Sequence, residues 1–461
     1  MLHRSLGLAD VTLFFVITGS NLQWVASAAA AGPSSLIVWI IGVFAMFVPL
    51  AIAVVYLTTH HPDEGGLYVW AKRAFGPLAG FITGWTYWTS NLPYLPALLY
   101  FAAGNALLFN SKLAAAMGST PAYFIAFSLG GLLLGTVLNV YGLEVGKWLN
   151  NIGAVSRWAV TLVLIALGIA FWHRFGATTA INATTIQPAT HLKDLIFWSV
   201  IAFAWTGPEA ASFMAGEIKR PRRTIPFAFA LSAPVTATIY ILGTASVLAI
   251  VQANSVDPSS GVMQAISAAS ARFGWWMLAP VAALLVAASC LGSCGAWLGA
   301  IARIPFVAGI DNYLPKAFGY AHPRFGSPVV ALVTQAVIAA IFVLLGQGGM
   351  SVRAAYAVLV STTVLITMLP FLYVFAAAIK LGAEPVDGEM IRIPGGRWTV
   401  VLASIVGIVT TCAAMVLAVV PASDEPNKVL AVAKVLLLTA LMIGSGLFVY
   451  WLGVRRARIA A

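Results

Sequence analysis

The sequence predicts an all-α membrane protein with about twelve transmembrane helices. The chain is 61% hydrophobic and only 8% charged, whereas soluble domains carry about 25% charged residues. Apolar runs of about 20 residues, the length of a membrane-spanning helix, recur along the whole chain. These runs are continuously apolar, whereas barrel strands alternate between lipid-facing and lumen-facing residues, so the sequence favours helices over a barrel.

The first five spans lie before residue 175 and enclose one short amphipathic segment. Spans 1 to 5 are expected at residues 11–31, 35–58, 78–108, 121–142 and 152–172. Each is long enough to cross a hydrocarbon core of about 30 Å. The segment 67–77 between spans 2 and 3 is basic and amphipathic, so we expect it to lie at the membrane interface.

Seven further spans follow. Spans 6 to 12 are expected at residues 195–216, 226–250, 275–302, 329–346, 353–378, 398–420 and 430–452. An outer loop that holds Asp257 separates spans 7 and 8, and a basic linker over residues 303–328 precedes span 9. No stretch is long enough for a separate soluble domain, so residues 1–461 are interpreted as one membrane domain. It consists of spans 1–5 (11–172), spans 6–10 (195–378) and a final pair (398–452).

The distribution of charge gives the orientation. The net charge is +11, but the basic residues are dispersed among loops and form no nucleic-acid-binding face. Alternate loops carry 17 Lys and Arg on the side of both termini and six on the other side. The positive-inside rule therefore predicts cytoplasmic termini in a plasma (inner) membrane protein. The first ten residues lack the basic stretch of a signal peptide, so none is expected.

Two spans carry polar interruptions in corresponding positions. Span 1 contains Thr18-Gly-Ser-Asn-Leu-Gln23, and span 6 contains Thr206-Gly-Pro-Glu209. A broken helix exposes backbone groups that lipid cannot satisfy, so such breaks persist where they line an enclosed cavity. Breaks five spans apart are typical of an inverted five-helix repeat with a solute site at the repeat interface. The alternative is a Gly-Pro kink that only relieves packing.

The breaks suit the two ends of a zwitterion. Free N–H groups after Gly19-Ser20-Asn21 face the cavity with a positive dipole end and suit a carboxylate. Free carbonyls from Ala202 to Trp205 suit an ammonium group. The predicted substrate-binding residues are Thr18, Gly19, Ser20, Asn21, Ala202, Phe203, Ala204, Trp205 and Gly207.

Few charged residues fall inside the predicted spans. Glu209 is the only acidic residue clearly inside one, and a buried carboxylate is able to exchange a proton, so we predict a role in proton coupling. Arg157 in span 5 keeps its proton. It either braces spans 1 and 8 as a fixed cation or snorkels to the headgroups. Lys434 lies near a helix end, where it can snorkel.

Further side chains near the breaks are candidates for lining or gating the cavity. Phe203 is the favoured aromatic gate because it lies at the break itself. The possible lining residues are Trp24, Asn91, Tyr94, Ser289, Ser293, Trp297 and Tyr356. For each of them, core packing or an interhelical hydrogen bond is the alternative interpretation.

The sequence lacks the motifs of ATP-driven transport and of two common classes of hydrolytic enzyme. No Gly-x-x-x-x-Gly-Lys-Ser/Thr phosphate loop is present, which argues against ATP-driven transport by this chain alone. No His-Glu-x-x-His helix or Gly-x-Ser-x-Gly elbow supports an enzyme. Cys290, Cys294 and Cys412 fall within predicted spans and are interpreted as packing residues. We therefore expect no metal and no cofactor.

Four motifs resemble the amino acid, polyamine and organocation (APC) transporter superfamily. They are Thr18-Gly-Ser-Asn21, Asp63-Glu-Gly-Gly-Leu-Tyr-Val-Trp70 with Ala74-Phe-Gly-Pro77, the block from Phe203 to Pro226, and the linker from Arg303 to Pro328. Together they cover most of the first nine spans. The segment 14–62 also looks like plant-type polyamine uptake permeases of this superfamily.

The resemblance implies a LeuT-like 5+5 inverted repeat that works by alternating access. It would make Phe203 the gate over the substrate and tie Glu209 to proton sensitivity or substrate release. Arg157 falls where several members have a lysine in place of a sodium ion, which implies sodium independence. Two departures stand out: Asn21 replaces a usual second glycine, and arginine replaces a lysine that can titrate.

The prediction is thus a secondary transporter of amino acids, proton-coupled or exchanging, with small-molecule substrate and bilayer as its partners, no nucleic acid, and a monomeric or homodimeric state. A polyamine permease for putrescine or spermidine is the alternative. A polyamine would want several acidic or aromatic groups, and only Glu209 is evident in the membrane. A sensor or channel is a third possibility, but no ring of like pore-lining groups is seen.

Overall fold

The computed structural model describes residues 4–61, 65–118, 120–188, 192–258, 260–345, 352–382, 393–420 and 428–460. Within these ranges the regular structure is helical, and the only strand-like feature is an isolated bridge between Leu6 and Ile218. The predicted all-α fold class is confirmed.

The first nine helices match spans 1 to 5 and the connections between them. They are α1 (Leu8–Gly19), α2 (Leu22–Ala31), α3 (Ser35–Gly42), α4 (Val48–His60), α5 (Leu67–Phe75), α6 (Pro77–Ala106), α7 (Ser111–Met117), α8 (Pro121–Val140) and α9 (Leu143–Phe175). A π-helical turn over Val43–Phe47 joins α3 to α4 into one span.

Nine more helices complete the chain. They are α10 (Leu192–Ala204), α11 (Pro221–Ile250), α12 (Gly261–Phe273), α13 (Leu278–Ile301), α14 (Arg303–Ile310), α15 (Val329–Leu345), α16 (Val352–Leu381), α17 (Gly396–Ala418) and α18 (Lys428–Ala460). A 3₁₀ helix over Pro208–Glu217 continues span 6 beyond α10.

Ten helical stretches in the described ranges are long and apolar enough to cross a membrane, and Val329–Leu344 is a shorter apolar helix. Span 6 is the remaining prediction, and it forms no continuous helix of that length because α10 stops at Ala204. With these two segments the structure accounts for the twelve predicted spans. The chain is therefore a multi-pass membrane protein.

Both predicted helix breaks are present. In span 1, Ser20 and Asn21 are extended between α1 and α2. In span 6, Gly207 has φ of 120°, a conformation that favours glycine. A Cβ on Gly207 would collide with the carbonyl of Thr18, and a Cβ on Gly19 would lie 2.7 Å from the ring of Pro208. The two breaks therefore touch each other.

A second glycine contact fixes α9 against α13. A Cβ on Gly153 would lie 2.7 Å from the Cα of Gly292, and a Cβ on Gly292 would lie 2.6 Å from the Cα of Gly153. Small residues let membrane helices approach this closely. One helical turn beyond Gly153, Arg157 then faces Ser289 and Ser293 across the contact.

The outer loop between spans 7 and 8 differs from the prediction, because it contains the thirteen-residue helix α12. Gly261 at its start lies so close to α2 that a Cβ would meet Ala26 at 3.2 Å. The apolar face of α12 packs on the bundle. In the sequence, the polar residues around Asp257 make the whole connection look like a loop, so this helix was not predicted. The connection is thus a structured cover over α2.

The predicted interfacial segment is α5, and it docks on the linker that follows span 8. The Tyr68 hydroxyl donates to Asp311 Oδ2 at 2.5 Å, and Lys72 Nζ donates to the same oxygen at 2.7 Å. Burial raises the pKa of Tyr68, and its hydrogen bond to Asp311 adds to that effect, so the hydroxyl keeps its proton. Asp63 and Glu64 of the preceding turn lie outside the described residues.

Candidate functional site

A small cavity lies where the two breaks meet. Its lining residues are Thr18, Trp24, Tyr87, Asn91, Tyr94, Phe203, Ala204, Thr206, Tyr240, Trp297 and Thr367. The volume open to the centre of a water-sized sphere is about 20 Å³, room for about one water. A molecule as large as an amino acid requires the surrounding side chains or half-helices to move apart.

Tyr240 on α11 connects the two breaks. Its hydroxyl accepts a hydrogen bond from the Asn21 N–H at 3.1 Å. The same oxygen lies 2.9 Å from the Ala204 carbonyl and 3.3 Å from the Gly19 carbonyl. The Asn21 N–H and the Ala204 carbonyl, both expected to be free, thus have a protein partner in the closed cavity.

Asn21 uses its side chain as well as its backbone. Its Oδ1 accepts from the Gln23 N–H at 3.3 Å, which caps the start of α2. Its Nδ2 donates to the Tyr94 hydroxyl at 2.8 Å and so ties α2 to α6. The departure from glycine at this position therefore adds a side-chain link across the cavity wall.

Arg157 is fully buried and does not reach the membrane surface. Its Nη1 donates to the Ile17 carbonyl at 2.9 Å, and its Nε donates to Ser289 Oγ at 2.8 Å. Its Nη2 lies 3.2 Å from Ser293 Oγ, which itself donates to the Ile17 carbonyl at 2.8 Å. Of the two interpretations drawn from the sequence, the geometry matches the brace between spans 1 and 8 and not the snorkelling residue.

The position of Arg157 suits its charge. Ile17 belongs to the last turn of α1, where backbone carbonyls give the helix a negative dipole end. No carboxylate pairs with Arg157 in the parts of the chain that the structure describes. The guanidinium is instead stabilised by a helix end and two hydroxyl groups.

Glu209 is also fully buried, just behind the cavity wall. Its Oε1 accepts from the Tyr87 hydroxyl at 2.6 Å, and its Oε2 accepts from the Gly207 N–H at 2.7 Å. Tyr87 lines the cavity and Glu209 does not. The carboxylate is therefore one side chain removed from the space in which a solute would lie.

The aromatic candidates fall into two groups. Trp24 and Phe203 pack edge to face at 5.6 Å between ring centroids, and both line the cavity. Trp205, predicted to bind substrate, instead packs edge to face against Trp39 at 5.7 Å and Tyr240 at 5.2 Å, away from the cavity. Trp205 is thus not among the residues that line the closed cavity, and its role in substrate binding stays a prediction.

The structure brings together most, but not all, of the predicted site. Thr18, Trp24, Asn91, Tyr94, Phe203, Ala204 and Trp297 line the cavity. Gly19, Ser20, Asn21, Ala202 and Gly207 form the backbone of the breaks beside it, whereas Ser289 and Ser293 hold Arg157. Tyr356 lies outside the residues whose side chains the structure describes.

Four lining residues were missed: Tyr87, Thr206, Tyr240 and Thr367. Thr206 belongs to the span 6 interruption and was within reach of sequence reasoning. The other three lie on uninterrupted helices, where a Tyr or Thr carries no signal of its own. The Thr367 hydroxyl and the Trp297 indole N–H find no hydrogen-bond partner in the described part of the chain, so both are available to a solute.

Comparison with known proteins now decides the family. The model of the amino acid permease family matches residues 6–446. The chain belongs to this family. An uncharacterized transporter of Legionella pneumophila is 30% identical over 97% of the chain and 96% of its own length. A cadaverine/lysine antiporter of Escherichia coli K12 is 27% identical over 76% of each chain. These relatives are transporters.

One end of the permease, the end with the N-terminal residues, is closed by backbone pairing. The N–H groups of Ser5 and Leu6 donate to the Glu217 carbonyl at 3.0 and 3.1 Å. The Lys219 N–H donates back to the Leu6 carbonyl at 2.9 Å. The segment before span 1 is thereby joined to the end of span 6.

A buried ion pair reinforces that closure. Arg303 Nη2 lies 2.8 Å from Glu217 Oε1 and 3.0 Å from Oε2, and both side chains are buried. Glu217, just beyond the predicted end of span 6, is thus a second buried carboxylate beside Glu209. In the sequence, Glu217 directly follows predicted span 6 and Arg303 lies in a predicted linker. The two residues are 86 positions apart, so no local pattern indicates their pairing.

Residues that could hold a metal do not cluster. In the ranges described, no group of three or more His, Cys, Asp or Glu could bind a metal ion. Cys290 and Cys294 are buried on α13, and Cys412 is exposed on α17. The chemistry of the cavity is consequently that of aromatic faces, hydroxyls, amides and helix ends.

We predict that Tyr240→Phe destabilises the closed state. The change leaves the Asn21 N–H and one carbonyl at the breaks without their partner, and an unsatisfied buried group costs about 1–3 kcal/mol. The apparent Tm of the detergent-solubilised protein should fall. Tyr320→Phe, a change at an exposed side chain, serves as the control and should leave it unchanged. An equal Tm for both variants would contradict the bridging role.

Proposed function

We propose that this permease is a secondary transporter that moves amino acids across the plasma membrane by alternating access. The observation that carries the proposal is the closed cavity between two facing helix breaks, where α2 begins and α10 ends. The proposal includes cytoplasmic termini, a LeuT-like inverted repeat, and a monomer or homodimer that acts with no cofactor and no nucleic acid.

Recognition would use the two breaks in opposite senses. The N-terminal end of α2 offers positive dipole and backbone N–H groups to a carboxylate, and the C-terminal end of α10 offers carbonyls to an ammonium group. A substrate would take over the Asn21 N–H and the Ala204 carbonyl from Tyr240. The free hydroxyl of Thr367 and the free indole N–H of Trp297 would then meet its side chain.

Access would alternate between two closures on opposite sides of the cavity. Phe203, packed on Trp24, is the proposed gate on one side. On the other side, the Glu217–Arg303 pair and the backbone pairing of Leu6 with the end of span 6 would open to release substrate. Both closures depend on contacts of spans 1 and 6, which supports movement of these two helices relative to the rest.

The two buried charges beside the breaks, Glu209 and Arg157, would serve coupling. Glu209 is the proposed proton carrier, connected to the cavity through the Tyr87 hydroxyl. Arg157 would act as a fixed cation in the position of a sodium ion, since its hydrogen bonds to Ile17 and Ser289 join the spans that such an ion would bridge. Transport would then be independent of sodium, by proton symport or by exchange.

A second candidate is a polyamine or diamine permease, which the similarity to a cadaverine/lysine antiporter favours. Aromatic side chains on the wall of the cavity are suited to cations. Among the described residues, however, no carboxylate lines the cavity, and a diamine has no group for the N-terminal end of α2. We therefore place the amino acid first.

The ligand class can be decided by thermal stabilisation of the detergent-solubilised permease with amino acids, putrescine, spermidine and cadaverine. A ligand at 100 times its Kd stabilises the native state by about 2.7 kcal/mol. We predict that one class of α-amino acids raises the Tm. Lysine and cadaverine form a matched pair that differs only in the carboxylate. Stabilisation by diamines and not by any amino acid would overturn the proposal.

For Glu209→Gln we predict a flattened pH dependence of uptake into proteoliposomes, because the amide cannot take up a proton. The variant keeps the size of the side chain and one of its two acceptor oxygens, the one for Tyr87, while the Gly207 N–H loses its acceptor. Asp257→Asn, outside the spans, is the matched control and should retain the wild-type profile. A wild-type pH profile in the Glu209 variant would remove this residue from the coupling mechanism.

For Arg157→Ala we predict that uptake falls at least about tenfold, the effect of losing roughly 1.4 kcal/mol of interaction, while substrate still raises the Tm. Wild-type uptake should be the same in sodium and in choline buffers. Arg174→Ala changes an exposed arginine of the same helix and should transport normally. Sodium-dependent wild-type uptake, or normal uptake by Arg157→Ala, would contradict the fixed-cation role.

A further inference from the structure

An apolar groove runs along the outside of the bundle between α8 and α15, far from the helix breaks. Its volume is about 540 Å³. Leucine, valine and alanine side chains of α8 and α15 line most of it, and two aromatic rings lie at one end. Both helices cross the membrane, so lipid surrounds this groove.

The groove has the length of one acyl chain in one leaflet. From Leu129 to Val140 the wall follows α8 for twelve residues, or about 16 Å at 1.5 Å per step between residues. That is about half of the roughly 30 Å hydrocarbon core. Leu133 and Val337 project from the rim with 66% and 55% exposure, while the small side chain of Ala336 leaves the depression between them.

The groove ends in a fixed aromatic mouth. Tyr141, just after α8, and Phe325, in the linker before α15, pack edge to face at 5.2 Å. The Ser327 hydroxyl donates to the Val140 carbonyl at 2.6 Å, which ties the linker to the end of α8. The same two rings also line a polar cavity of about 460 Å³, so the groove and this cavity adjoin each other at the pair of rings.

The polar cavity carries charges of both signs. Glu217 and Arg303 on its wall are paired with each other. Glu144 and Arg324 are exposed and line the same cavity, and neither forms an ion pair within the described ranges. The Arg324 guanidinium lies 5.5 Å from the centre of the Phe325 ring, beside the mouth of the groove. One cation and one carboxylate are thus available where the apolar groove ends.

We propose that this groove and its mouth form a binding site for a phospholipid with a primary ammonium in its headgroup. One acyl chain lies in the groove, the phosphate binds Arg324, and the ammonium binds Glu144. The site lies on the membrane face that carries the N-terminal residues, because Ser5 lines the same polar cavity. The opposite charges of Glu144 and Arg324 favour this headgroup over an anionic one, which has no cation for Glu144.

The test is native mass spectrometry of the full chain in dodecylmaltoside with phosphatidylethanolamine, phosphatidylglycerol or phosphatidylcholine of identical acyl chains. We expect one tight phosphatidylethanolamine adduct, with about fivefold weaker binding of the other two lipids. The three lipids share the phosphate and differ in the group that meets Glu144, and an exposed ion pair contributes up to about 1 kcal/mol, or about fivefold in affinity. Phosphatidylcholine carries no N–H group to donate to Glu144.

Three variants separate the parts of the site. Arg324→Gln should weaken all three lipids about fivefold. Glu144→Gln should abolish the preference for phosphatidylethanolamine over phosphatidylcholine. Ala336→Leu should fill the groove and weaken every lipid. Arg456→Gln and Ala413→Leu make the same chemical changes at exposed positions of α18 and α17 and should bind lipid as the wild type does.

Each contrary outcome is readable in the same spectra. Equal affinity for the three lipids in the wild type, or unchanged selectivity in both charge variants, would overturn the headgroup assignment. Because Arg324 and Glu144 are exposed, these variants should fold, which leaves the test intact if Ala336→Leu does not. A lipid-free dimer that Ala336→Leu dissociates would show that a second copy of the chain fills the groove, and would also refute the proposal.

Discussion

The requirement that backbone groups inside a membrane find partners governs this structure more than any other constraint. Each interruption of a span leaves N–H and C=O groups that lipid cannot satisfy. The protein meets that requirement with side chains from other helices: Tyr240 at both breaks, Arg157 at the end of α1, and Glu209 at the Gly207 N–H. The same contacts fix spans 1 and 6 relative to each other, so the side chains that satisfy the backbone also form the cavity.

The cavity contrasts with its surroundings in charge. Arg157 and Glu209 are both close to the breaks, yet neither lines the cavity, whose wall consists of aromatic rings, hydroxyls and amides. A solute would therefore meet helix dipoles and polar groups, with the formal charges one layer behind. Such an arrangement avoids leaving an unpaired charge in a closed apolar space, which is costly. It also lets each buried charge keep its own hydrogen bonds while the cavity opens and closes.

Sequence patterns predicted the number of spans, both breaks, the amphipathic helix α5 and the location of Glu209 and Arg157 inside spans, because each is a local departure from a long apolar run. The same reasoning missed Tyr240 and Tyr87, since their roles come from helices distant in sequence. It could not tell that the Trp205 ring packs on Trp39 and Tyr240, because nothing local fixes which way a side chain leaves a break. The Glu217–Arg303 pair was missed because its partners are distant in sequence and neither stands out from the polar residues around it.

The hydroxyl of Tyr240 has one hydrogen to give and two carbonyl oxygens within reach, that of Ala204 at 2.9 Å and that of Gly19 at 3.3 Å. Whichever oxygen receives the hydrogen, the other keeps an uncompensated lone pair on that side of the cavity. Rotation of the hydroxyl about its C–O bond, with no movement of the ring, thus switches the donated hydrogen bond from the carbonyl at one break to the carbonyl at the other. The two breaks are competitors for one proton, and this competition makes each of them sensitive to what happens at its counterpart.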